Sequence, residues 1–246
     1  MILLSLLAFL FSFLFSLGGI GAAIVLVPIM YASGIPLNQA KATGLFYNTI
    51  SLAGASYLNI KEKRLDFKIG LPLIIFSLIF APVGAYLSSF VSHKIVLIIF
   101  ILFLLFSTSV MWFFKSKNYQ NNYREDRPFV ILSIIGIVVG IVSGLLGVGG
   151  GGLISPIMII LGFNPKKVAA ITAFVVPFSS FSGFLTYFAM GSVNFKILAC
   201  VTISGFFGAF LGTSVMQKKF KPDTVKKLLG VILLILAIKM LLKLLN

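Results

Sequence analysis

The chain holds little that could carry acid–base, redox or metal chemistry. Its 246 residues include five carboxylates, one histidine and one cysteine. A lone Cys200 excludes internal disulfides and cysteine metal sites, and within its apolar run it reads as a packing residue. A membrane-embedded hydrolase needs a nucleophile–base pair or a metal cluster, and these residues cannot assemble one at membrane depth. The sequence therefore predicts no catalytic residue, no metal site and no cofactor. Glu62, Asp66, Glu125, Asp126 and Asp223 fall between or at the ends of apolar segments. Cation pumps and carboxylate proton relays keep an acid inside the membrane, so those classes are disfavoured.

Charge of either sign is also scarce, at 10% of residues, against about 25% in soluble domains. Hydrophobic residues make up 59% of the chain, 26 of them Phe, and the mean hydropathy is +1.13. No internal core can hide that much apolar surface, so a lipid bilayer must cover it. Runs such as Ile95–Phe106 and Val231–Ile238 belong to windows of about 20 apolar residues that read as transmembrane helices. The net charge of +15 does not mark a nucleic-acid binder. Lys and Arg sit in short clusters between apolar segments, and no basic stripe with interleaved aromatics is present. Met1–Ser16 is apolar like a signal peptide, but it lacks a basic start and an A-x-A-like cleavage site, and it is read as retained structure.

The sequence repeats itself. Gly19-Ile20-Gly21 with Pro28-Ile29-Met30 matches Gly147-Val148-Gly149 with Pro156-Ile157-Met158 at a spacing of 128, and Gly34 matches Gly162. After one inserted residue, Pro36, Thr43, Ser51 and Gly54 pair with Pro165, Thr172, Ser180 and Gly183. Phe67-Lys68 then pairs with Phe195-Lys196, and Gly84-Ala85 resembles Gly208-Ala209. Internal repeats of this size in an apolar chain are characteristic of secondary transporters. The predicted fold is an all-α polytopic membrane protein with two inverted-topology repeats of five helical segments each. The repeats are residues 1–114 and 129–246, joined by a polar linker, 115–128. The first half divides at roughly 2–17, 21–34, 42–60, 68–91 and 94–114. The second divides at 129–147, 151–162, 168–190, 195–216 and 224–245. The segments ending at Gly34 and Gly162 are too short to span, so each half is predicted to open with a broken or re-entrant hairpin.

Charge placement favours that arrangement. If the first two segments of each half form a hairpin, fifteen basic residues share one face. Lys41, Lys94, Lys196, Lys239 and Lys243 lie on the other. If those two segments make one continuous span, the split is eleven against nine, with no orientation signal. The positive-inside rule selects the hairpin. It places 61–68, 115–128 and 216–227 in the cytoplasm and both termini outside. His93 reads as a solvated outer residue which, with Lys41 and Lys196, attracts anions.

The richest local signal is Gly147-Val148-Gly149-Gly150-Gly151-Gly152, with its partner Gly19-Ile20-Gly21. Gly147, Gly149 and Gly152 formally spell a dinucleotide fingerprint, but no acidic residue follows at the required distance. One alternative is that these glycines only let helices pack closely in lipid. The other is that they break the helix and bare backbone N–H groups, which with a helix N-terminus bind anions without a charged side chain. Inversion brings the two breaks together near the midplane. Thr43, Asn48, Ser51, Thr172, Ser179 and Ser180, with Thr49, lie on the following segments and can complete an anion's hydrogen-bond shell. Pro28 and Pro156 shape the short helices. On this reading Gly150→Leu abolishes flux while leaving the fold largely intact. A non-transporting membrane scaffold and a passive anion channel are the other readings that composition leaves open.

At these motifs the chain resembles the sulfite exporter TauE/SafE family of membrane permeases. The matching elements are Gly19-x-Gly21 with Pro28, Gly147-x-Gly149-Gly150-Gly151 with Pro156, and the polar-start segments at Thr43 and Thr172. Leu65-Asp66-Phe67-Lys68 and Val193-Asn194-Phe195-Lys196 match as well. The resemblance covers nearly the whole chain and implies a small anionic solute, sulfite or an organosulfur anion, moved by alternating access. Ala22 and Ala23 stand where the second half has glycines, so the site is expected to be asymmetric.

Overall fold

The computed structural model describes residues 2–16, 19–113, 123–219 and 222–245. Among them it places ten α-helices and no strand: α1 (Ile2–Phe15), α2 (Ala23–Ala32), α3 (Leu37–Lys61), α4 (Phe67–Leu87), α5 (His93–Phe113), α6 (Phe129–Leu146), α7 (Gly151–Ile160), α8 (Pro165–Ala189), α9 (Phe195–Lys219) and α10 (Pro222–Leu245). These are the ten predicted segments, with boundaries shifted by up to five residues. α3 and α8 begin at residues 37 and 165 rather than 42 and 168. Pro36 caps α3. The Asn164 side chain accepts from the N–H groups of Lys166 and Lys167, and Pro165 follows as the first helical residue. Capping chemistry starts α8 ahead of its apolar pattern, and at α3 the fixed backbone of Pro36 marks the start. Helices α4, α5, α6, α8 and α9 are long and apolar enough to cross a membrane, so the chain is a multi-pass membrane protein.

Close-packed glycines fix how the helices run. Gly208 and Gly212 of α9 lie on the backbone of Phe9 and Phe13, so α1 and α9 are parallel. Gly136, Gly140 and Gly144 of α6 lie on Leu73, Ser77 and Ala81, so α4 and α6 are parallel too. In the centre, α3 and α8 are antiparallel: Gly183 faces Leu45, and the Ser56 hydroxyl donates to the Ala173 carbonyl at 2.7 Å. Small residues let backbones approach closely where lipid offers no hydrophobic drive to association. Exchanging α1–α5 with α6–α10 converts one main packing into another. α1 on α9 becomes α6 on α4, and α3 on α9 becomes α8 on α4. α2 on α3 becomes α7 on α8, while α3·α8 and α5·α10 map onto themselves.

Prolines inside these helices free carbonyls four residues back, and serines from neighbouring helices take them up. Pro156 frees the Gly152 carbonyl, which accepts from Ser107 at 3.1 Å. Pro177 frees that of Ala173, bound by Ser56, whose hydroxyl is shared with the Leu52 carbonyl. Pro82 frees that of Leu78, bound by Ser182. In hydrocarbon an unpaired carbonyl is costly, so these hydroxyls let broken helices persist. Ser56→Ala is expected to lower stability by about 0.5–1.5 kcal/mol, read as a lower melting midpoint in detergent.

The loop ends gather the charges. Arg127 pairs with Asp66 at 3.1 Å, and the Arg124 N–H donates to the Gly162 carbonyl at 2.9 Å. The loops after α3, before α6 and after α7 therefore share one end of the bundle. The Arg124 guanidinium hydrogen-bonds Asp126 and holds that carboxyl below its usual range.

Candidate functional site

The two glycine turns have the same backbone. Gly19, Gly21 and Gly34 have φ of 63°, 78° and 88°; Gly147, Gly149 and Gly162 have 72°, 70° and 91°. Left-handed conformation thus recurs at three positions of each half, all spaced by 128, where a side chain would strain the chain. α1 runs to the first turn, and α2 returns antiparallel to α3, with Val27 against Gly44. Each turn crosses to the central helix of the other half. Gly19 lies on Ala169 and Ala173 of α8, and Gly147 on Lys41 of α3.

The turns also touch each other. A methyl group on Gly151 would lie 2.3 Å from the Ile20 carbonyl oxygen. Asn48, fully buried near the middle of α3, ties them together. Its Oδ1 accepts from the Ala23 N–H at 3.1 Å, and its Nδ2 donates to the Val148 carbonyl at 2.7 Å. Methyl groups on Gly21 or Gly149 would collide with that amide, at 2.6 Å and 2.5 Å. The N–H groups of Val148 through Gly152 find no acceptor among the described residues, as expected for bared amides at a helix start.

The remaining predicted site residues separate by what they bond. Thr172 accepts from Ser155 at 3.1 Å, and Ser179 donates to the Val176 carbonyl at 3.2 Å. Thr49 donates to the Leu45 carbonyl at 3.0 Å. Thr43, Ser51 and Ser180 are buried, and their hydroxyls have no partner among the described residues. Ser180 Oγ borders Gly149, and Ser51 lies one helical turn beyond Asn48. Pro28 and Pro156 stand inside α2 and α7, at the sixth of ten residues in each. Gly150 does not leave room for leucine: its Cβ would lie 2.1 Å from Val139 Cγ1. Overpacking would accompany that substitution, so the hydroxyls probe the site more cleanly. A cleft of about 760 Å³ opens between α3, α4 and α8, lined by Ala53, Leu78, Pro177, Phe181 and Leu185 among others. Of the predicted site residues Thr49 alone lines it, because the turns pack against each other and Asn48 instead.

One functional candidate lay outside the sequence reading of the site. Lys41, placed there among exposed outer lysines, is only 1% exposed. Its Nζ donates to the Ser88 hydroxyl at 2.6 Å. The ion pairs among the described residues are Arg64–Glu62, Arg124–Asp126 and Arg127–Asp66, all in loops, and Lys41 is in none of them. Its place in a short polar stretch at the start of α3 gave no sign of burial.

Comparison with known proteins agrees with this architecture. The family model described as "Sulfite exporter TauE/SafE" matches residues 4–240. A "probable membrane transporter protein" of Methanocaldococcus jannaschii is 29% identical, over 98% of this chain and 95% of its own. Another of that description, from Bacillus subtilis, is 29% identical over 90% of each. "Sulfite exporter TauE/SafE family protein 1" of Arabidopsis thaliana is 30% identical over 49% of this chain and 28% of its own. No solved structure gives a significant match. With the family model spanning nearly its whole length, the chain belongs to the sulfite exporter TauE/SafE family of membrane transporters, which is not an enzyme family.

Proposed function

We propose that this chain is a secondary carrier that exports a small anion, sulfite or an organosulfur anion, by alternating access of two inverted repeats. The observation that carries the reading is the set of buried, unpartnered hydroxyls of Thr43, Ser51 and Ser180 on the two helices that hold the glycine turns. An unsatisfied buried hydroxyl costs about 1–3 kcal/mol, a cost that a transported anion would remove. The bared amides of Val148–Gly152 add donors without a charged side chain, and no carboxylate of the sequence lies in these helices to repel the solute. Asn48 serves to lock the two turns rather than to ligate. Inversion is supported by the antiparallel α3 and α8, which map onto each other when the halves are exchanged; that calls for a two-fold axis lying across the helices. The turns are packed shut on all described sides, which suits an occluded state from which either end must open.

The test uses purified protein in proteoliposomes. Labelled sulfite efflux should saturate and should accelerate when unlabelled sulfite is present on the far side. Ser51→Ala and Ser180→Ala should each raise KM by roughly 3–10-fold with the anion-free melting midpoint equal to or above wild type. Linear flux without countertransport would replace the carrier with a channel, and unchanged KM in both variants would remove the site.

A further inference from the structure

The turns described above hold no charged side chain, yet a lysine is buried beside one of them. Lys41 packs its stem over Gly147: a methyl group there would lie 2.3 Å from Lys41 Cβ and 2.6 Å from Cγ. Its ammonium has three hydrogens to donate and finds one neutral acceptor, Ser88, itself buried at the end of α4. An ammonium removed from water keeps its proton only at a cost unless a negative partner faces it.

Among the described residues no side chain supplies such a partner. Glu62 and Asp66 lie past the far end of α3, about 30 Å along the helix by its rise per residue, and Asp126 lies in the loop that Arg127 ties to Asp66. Glu125 neighbours Asp126, and Asp223 follows α9, whose start is at the Lys41 end and whose 25 residues run away from it. α5 and α9 open at the Lys41 end with His93, Lys94 and Lys196, so the described side chains there include cations and no carboxylate.

Packing does not require the lysine either. Lys41 pairs with the buried Ala170 at the 129 spacing that relates Thr43 to Thr172, and the other turn packs at Gly19 on Ala169 and Ala173, again with no charge. The two halves build the same turn, one beside an alanine and one beside an uncompensated cation.

We propose that Lys41 is the fixed positive charge of an anion-binding station at the end of the bundle where α3 begins, completed by the Ser88 hydroxyl. It takes a small anion as the negative partner that the chain lacks. The station deepens the reading above, and rests on it only for the identity of the transported anion.

Lys41→Met keeps the apolar stem and removes the charge; Lys41→Ala copies the other half. In detergent, wild-type protein should gain melting temperature on titration with sulfite, sulfate or chloride, with saturation. Both variants should lose that gain while their anion-free midpoints stay equal to or above wild type, since an unpaired buried charge has been removed. In proteoliposomes KM for sulfite should rise roughly 10- to 100-fold in Lys41→Met. A lower anion-free midpoint with the titration gain intact would show Lys41 to be a structural donor to Ser88 and overturn the station. If one variant does not fold, the other decides; if neither folds, Lys41 is structural and the station falls. Wild-type sulfite flux with no variant effect sinks the station alone. An anion-dependent midpoint lost in Lys41→Met, without flux of any sulfur anion, sinks the carrier alone.

Discussion

Asn48→Ala is expected to abolish transport and to destabilise the protein together. The substitution strips partners from the Ala23 N–H and the Val148 carbonyl. Each orphaned group costs about 1–3 kcal/mol when buried, and a cavity is left between the two turns. Asn48→Asp separates the two bonds: it keeps an acceptor for Ala23 but turns a carboxylate oxygen toward the Val148 carbonyl. Its midpoint should also fall, and its flux should be lost, because a fixed negative charge then stands where an anion must pass. Melting midpoints in detergent and sulfite flux in proteoliposomes read both effects. An alanine variant with wild-type stability would mean that the turns hold together without the amide.

A comparable loss is expected from Gly144→Val, for a different physical reason. A Cβ at Gly144 would lie 2.0 Å from the Ala81 carbonyl oxygen and 2.6 Å from the Ala85 nitrogen. Both are helix backbone, so α4 and α6 must separate, and the cost should reach or exceed about 3 kcal/mol. The variant should fail to accumulate as folded protein. Gly54→Ala is the control, since its Cβ would meet only the Phe206 ring at 3.3 Å, a side chain able to shift slightly. Normal accumulation of Gly144→Val would contradict the close approach of the two helices.

Helix positions were legible in the sequence because lipid forces apolar segments of fixed length, and the turns because glycine is the residue that takes left-handed conformation without strain. The pairs Gly19/Gly147, Gly21/Gly149 and Gly34/Gly162 could thus be matched before any coordinates. What each polar side chain bonds was not legible. Thr172 and Thr43 occupy matched positions, yet one accepts from Ser155 and the other has no partner among the described residues; Val27 stands where the second half has Ser155, so the difference lies in the helix that precedes each threonine's own. Lys41 was assigned to a loop face by a charge count, which registers the end of a helix and not the side it turns inward. Asn48 was legible as a polar residue at mid-helix, but its bridge depends on a carbonyl 100 residues away.

The interleaving of the halves bears on how the protein is made. α1 rests on α9, α4 on α6 and α8, and α5 on α10, so the amino-terminal half makes few of its contacts with itself. During synthesis α1–α5 leave the ribosome before any of these neighbours exists, with the Val148 carbonyl that Asn48 will bind, the Gly147 that Lys41 will cover and the Gly152 carbonyl that Ser107 will bind still to come. The early helices must wait in the bilayer as loosely associated spans, and the finished core closes only once α9 and α10 have been inserted.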